Sequence, residues 1–163
     1  MAIGKTIGVN LDDVPQPDSP TARAALEVTT AYCSPALVNH CLRSYLWGAS
    51  YGISCGIGFD AELLFVAAML HDIGLVKEFD SHTVAFEEAG GHVAWVFGAG
   101  AGWPAGRRRR AAQIIVGHMG DAVDPGVDPE GHLLAIATGL DISGRAAGSW
   151  PAEFRFLREK LAC

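Results

Sequence analysis

Apolar positions recur at helical spacing through most of the chain, and no stretch shows sustained period-2 alternation, so the pattern predicts an all-α protein. Ser19-Pro20 and Ser34-Pro35 each put a capping residue before a first-turn proline and predict two helix starts. The second opens "SPALVNHCLRSYLWGASYG", with Leu37, Cys41, Tyr45 and Leu46 at helical spacing. Asp60 caps "AELLFVAAMLHDIGL", which is apolar nearly all round, stops at Gly74 and is expected to be the central buried helix. "FEEAGGHVAWVFGAG" predicts a fourth helix, and a fifth starts near Trp103-Pro104 and runs through "RRRRAAQIIVGHM". "GDAVDPGVDPEG" is expected to be a loop, and "HLLAIATGLDISGRA" and "SWPAEFRFLREKLA" a sixth and seventh helix. Residues 1–18 are expected to form an irregular arm and residues 19–163 one bundle of six to seven helices.

Composition narrows the setting. Half the residues are hydrophobic and 18% are charged, as in a globular chain that buries its own core. The longest apolar run, Leu63 to Leu70, falls well short of the roughly 20 residues that span a bilayer. With no leader visible, a cytoplasmic location is the expectation. A net charge of −6 argues against nucleic acid, whose phosphates need a basic surface. The expected partner is a small-molecule substrate, with neither nucleic acid nor membrane; a homo-oligomer is compatible with the sequence. Cys33, Cys41, Cys55 and Cys163 show no C-x-x-C spacing and read as reduced and buried.

Four polar residues stand out on the apolar helices. His40 lies in the second, the doublet His71-Asp72 ends the third, and Asp141 sits between Leu140 and Ile142 in the sixth. Buried carboxylates are usually paired or bound to a cation. Two imidazoles and two carboxylates without a comparably placed lysine suggest a divalent ion, while an internal hydrogen-bond pair remains the alternative.

These residues give the sequence its resemblance to the HD-domain superfamily of metal-dependent hydrolases and related enzymes. That superfamily orders its ligands as a histidine, a His-Asp doublet and a later aspartate, which His40, His71, Asp72 and Asp141 satisfy. "SPALVNHCLRSYLWG", "FDAELLFVAAMLHDIGL", "FEEAGGHVAWVF", "IIVGH" and "ATGLDISG" look like the cyanamide hydratase-like branch, in the same order from about residue 34 to 144. The resemblance implies an HD-type helical bundle holding one divalent ion, with zinc favoured and iron or manganese suited to the same donors. It also implies a hydratase or hydrolase in which metal-activated water attacks a small neutral substrate, such as the nitrile carbon of cyanamide. His118, or His82, is then the candidate general acid.

Phe86 is a candidate for the substrate wall, as are Phe65, Trp47 and Trp95, each of which reads equally as core. Arg43 is a candidate substrate contact or an ion-pair partner. The run Arg107 to Arg110 reads as a solvated first turn or an inter-helix ion-pair site, with a regulatory anion site as the alternative. Two other activities share the scaffold. A dinuclear-iron oxygenase needs two further histidines, and Phe86 stands where the first is expected unless His82 or His92 substitutes. Nucleotide phosphohydrolases often carry a lysine after the doublet, where this chain has Leu75, with Lys77 displaced. His132 is expected at the surface.

Overall fold

Four helices begin where a side chain accepts a backbone N–H of the first turn, as the orphan donors of a helix start require. Ser19 accepts from Ala22 and starts α1 (Pro20–Tyr32), and Ser34 accepts from Leu37 and starts α2 (Pro35–Cys55). Asp60 accepts from Leu63 and starts α3 (Ala61–Leu70). After α4 (Phe86–Gly100) and α5 (Ala105–Gly117), Asp128 accepts from Gly131 and starts α6 (Pro129–Ser143). The computed structural model describes residues 10–121 and 123–144, and these contain helices and no strand. The seventh helix expected in "SWPAEFRFLREKLA" lies outside the described residues.

Two boundaries differ from the sequence pattern. α6 starts at Pro129 instead of near His132, because Asp128-Pro129 is itself a capping residue followed by a first-turn proline. α3 ends at Leu70, before the doublet. His71 is its last cap, and a short 3-10 turn, Ile73–Leu75, follows. A Cβ added at Gly74 would lie 2.1 Å from the carbonyl oxygen of Phe86, so the chain after the doublet runs against the backbone at the start of α4. Gly90 makes a second close approach, where a Cβ would sit 3.1 Å from the carbonyl oxygen of His71. Both glycines lay the start of α4 across the doublet.

α3 is the centre of the bundle. Every residue from Leu63 to Leu70 is buried, and the helix packs against α1, α2, α4, α5 and α6. The expectation of a central, all-round apolar helix therefore describes its surroundings. Part of the N-terminal arm also joins the core. Val14 is buried, and the Tyr45 hydroxyl donates to the carbonyl of Pro15 at 2.5 Å.

The arginine run ties helices together. Arg107 bonds Asp60 at 2.6 Å and Glu62 at 3.0 Å. Arg110 bonds Asp128 at 2.7 Å and Glu130 at 2.9 Å, and Glu130 also accepts the backbone N–H of Asp60 at 2.7 Å. Through Arg107 and Arg110, one face of α5 thus clamps the acidic starts of α3 and α6, the inter-helix role among those expected. Cys33 and Cys41 are buried, but Cys55 is exposed at the end of α2, contrary to the expectation of burial. Cys163 lies outside the described residues. No described helix is long and apolar enough to cross a membrane.

Candidate metal centre

Helix ends build this site. A helix leaves its last carbonyls without intrahelical donors. His71 caps α3 and its Nδ1–H donates to the carbonyl of Ala68 at 2.7 Å. His118 caps α5 in the same way, its Nδ1–H donating to Ile115 at 2.5 Å. In both residues the bond places the proton on Nδ1, because a carbonyl can only accept. Each Nε2 is then left as a lone pair. His40, on α2, donates Nδ1–H to Asp141 on α6 at 2.7 Å and likewise presents Nε2.

The Nε2 atoms of His40 and His71 face one another at 3.1 Å. Asp72 Oδ2 lies 3.4 Å from the first and 3.3 Å from the second. Two opposed lone pairs beside a carboxylate repel unless a cation, a proton or a metal, sits among them. Donors at about 2.0–2.1 Å from one zinc ion stand roughly 3.3 Å apart in a tetrahedral arrangement, so the observed spacing fits an ion. These three donor atoms all lie within 4.8 Å of one another. His40, His71, Asp72 and His118 are all buried, which makes an uncompensated charge there costly.

His118 borders this group. Its Nε2 is 3.9 Å from the other oxygen of Asp72, and its ring meets the His71 ring edge-on with centroids 4.9 Å apart. Burial and the neighbouring His71 push its pKa below the usual histidine value, against the opposing effects of Ile115, Asp72 and Glu87. Burial alone raises the carboxyl of Asp72, but His71, His40 and His118 outweigh it and hold it below the usual range.

Three of the four residues expected on one ion, His40, His71 and Asp72, are grouped in the structure. Asp141 stands outside the group of three, behind His40. Both its oxygens are taken: Arg43 Nε and Trp47 Nε1 bond Oδ1 at 2.7 and 3.3 Å, and Arg43 Nη2 bonds Oδ2 at 2.9 Å. Burial raises its pKa, yet the bonds from His40, Arg43 and Trp47 drive it far below the ordinary carboxylate value. Arg43, expected as a substrate contact or an ion-pair partner, is in the ion pair.

The remaining candidates separate clearly. Phe86 opens α4 beside His118, with ring centroids 6.0 Å apart. Phe65 stacks edge-on with Tyr45 at 5.0 Å inside the core, and Trp47 is buried behind Asp141. Trp95 is 36% exposed and lines a groove between α4 and α5 with the exposed His92 and with Arg109. His82 is exposed in the turn after Ser81 and is not part of the grouped donors, so the expected alternative to His118 is not brought to the site. His132 donates from Nδ1 to Val123 at 2.7 Å and secures the loop before α6. Sequence reasoning missed Glu87, whose charge acts on His118 from the first turn of α4. Its position next to Phe86 was the available signal.

A family model, HD domain, matches residues 37–141, which spans His40 to Asp141. Comparison with the curated proteins found no match.

Proposed function

The chain belongs to the HD-domain family, and from that premise we propose a metal-dependent hydratase or hydrolase acting on a small uncharged substrate, with a nitrile such as cyanamide as the favoured class. The family consists mostly of metal-dependent hydrolases, which supports the coarser activity. The observation that carries the reading is the opposed pair of Nε2 atoms, 3.1 Å apart, with Asp72 beside them. His40, His71 and Asp72 would hold the ion, with zinc favoured and iron or manganese suited to the same donors. When bound, such an ion supplies Lewis acidity and makes water nucleophilic near neutral pH.

The chain's own residues do the rest. Ala68 and Asp141 fix the tautomers of His71 and His40, so both present lone pairs. His118 is assigned a different order of proton transfers from that of a simple acid. With Nδ1–H committed to Ile115 and its pKa lowered, Nε2 must accept a proton before it can donate one. Hydration of a nitrile suits that order. The proton taken from the attacking water is returned to the nitrile nitrogen as the C–O bond forms, and no net proton is consumed.

The charges around the centre favour an uncharged substrate. Asp72 and Glu87 are acidic, Arg43 is committed to Asp141, and Lys77 is 89% exposed beside Glu78. A phosphate would therefore have to displace Asp141 from Arg43 or draw Lys77 out of water. A second reading, the dinuclear oxygenase, is favoured by the 3.9 Å gap between His118 Nε2 and Asp72, which leaves room for a further ion. Phe86 beside that gap brings a phenyl ring with no donor atom, which supports a single ion instead.

The test is a substrate panel on zinc-loaded protein: cyanamide and other small nitriles, nucleotides, and polyols with iron and dioxygen. Nitrile consumption with amide or urea product, unaffected by removing dioxygen, is expected. Phosphate release alone, or dioxygen consumption with a polyol, would replace this reading with one of the alternatives.

A further inference from the structure

We infer that the outer face of α4 and α5 is a contact between two copies of this chain, related by a two-fold axis, with Glu88 of each copy paired to Arg109 of the other. Two glycines bring these helices together. A Cβ at Gly91 would lie 2.9 Å from Val116 Cγ2, and one at Gly98 would lie 2.9 Å from Arg108 Cγ. Residue 91 thus meets 116 and residue 98 meets 108, so the two helices run antiparallel. Between them lies a groove of about 510 Å³, whose lining includes Glu88, His92, Trp95, Arg109, Gln113 and Val116. Its apolar surface faces solvent: Trp95 is 36% exposed, Val116 41%, and the neighbouring Val96 70%. An exposed apolar groove rimmed by polar groups marks an interaction site.

The charges at the two ends of the groove choose its occupant. Antiparallel pairing sets Glu88 beside the last turn of α5 and Arg109 beside Trp95. Glu88 and Trp95 are seven residues apart, about 10 Å along the helix axis. Arg107 and Arg110 hold ion pairs, whereas among the described residues Arg108, Arg109 and Glu88 hold none. Arg108 lies over the Trp95 ring, 5.2 Å from its centroid, and adds positive charge at the Arg109 end. The groove therefore carries an unpaired acid at one end, unpaired bases at the other and apolar surface between them. A second copy turned end for end meets both requirements with one interaction made twice, because in a two-fold contact residue i meets j and j meets i. Tryptophan and arginine are also the side chains that most often anchor such contacts.

Sedimentation velocity over a concentration series reads this contact without reference to activity, so the inference stands or falls apart from the proposed function. The unmodified chain should move with rising concentration from its 17.2 kDa mass to twice that mass. Trp95→Ala should weaken dimerisation by about 100-fold or more, since each dimer loses the anchor twice. Glu88→Arg and Arg109→Glu should each weaken it by about tenfold, because each breaks two ion pairs and sets like charges together. Mixed in equal amounts, those two variants should dimerise with one another as tightly as the unmodified chain does with itself, since each supplies the charge the other lacks. All three positions are exposed, and far-UV circular dichroism confirms that the variants fold. A chain that stays monomeric throughout the series, or a dimer indifferent to these substitutions, would overturn the inference. So would a mixture that associates no better than either variant alone. A monomer whose melting temperature falls in Trp95→Ala would assign the groove to a segment of the same chain instead.

Discussion

Replacing His71 with alanine is expected to abolish both ion binding and activity. His71 is fully buried, its Nε2 faces that of His40 at 3.1 Å, and its ring packs edge-on against His118. The substitution removes one of three grouped donors and leaves Asp72 and His40 without the geometry that brings them onto one ion. Affinity should fall by more than the roughly 100-fold that marks loss of an outer partner. Some stability will go too, because truncating a buried side chain leaves a cavity, at a cost of about 2 kcal/mol or more. Asp72→Asn, which keeps the shape, separates the two effects. It should lose ion affinity by a comparable factor with a smaller change in melting temperature. Metal analysis and thermal melts on the two variants check this.

His118→Ala is expected to keep the ion and lose turnover. His118 Nε2 is 3.9 Å from Asp72 and lies outside the group of three donors, so the ion does not depend on it. A positioned acid–base group contributes typically about 10²–10⁴-fold, and kcat should fall within that range. The unmodified enzyme should also show an acid limb in its pH profile. The base form of His118 is the active one, and its pKa is depressed by burial and by His71. Activity should therefore rise with pH through a value below the ordinary histidine pKa of about 6.5 and then stay level, and His118→Ala should remove that limb. Equal metal loss in His118→Ala and His71→Ala would make His118 a ligand.

The helices were largely legible because their signals are local. Ser-Pro pairs mark the starts of α1 and α2, and the fourth segment read from the pattern coincides with α4, Phe86–Gly100. The same signature at Asp128-Pro129 was hidden inside a stretch rich in Pro, Gly and Asp, where turn composition outweighed the capping pair. The end of α3 was overrun because the apolar pattern continues through Ile73 and Leu75. It breaks at the doublet, where Gly74 meets the backbone of Phe86, a long-range contact that no local pattern contains. The site was legible in its members and less so in their arrangement. His40, His71 and Asp72 could be picked out as polar groups on apolar helices. That Asp141 would spend its lone pairs on Arg43 and Trp47 depends on the docking of α6 against α2. The tautomer of His118, which alters its role, depends on a carbonyl three residues back at a helix end.

Anomalous diffraction from zinc-loaded crystals would locate the ion itself. One zinc peak per chain is expected, at about 2.0–2.2 Å from His40 Nε2, His71 Nε2 and an oxygen of Asp72. No peak among those atoms would contradict the metal reading, and a second peak between Asp72 and His118 would contradict the single ion and move the dinuclear oxygenase to first place.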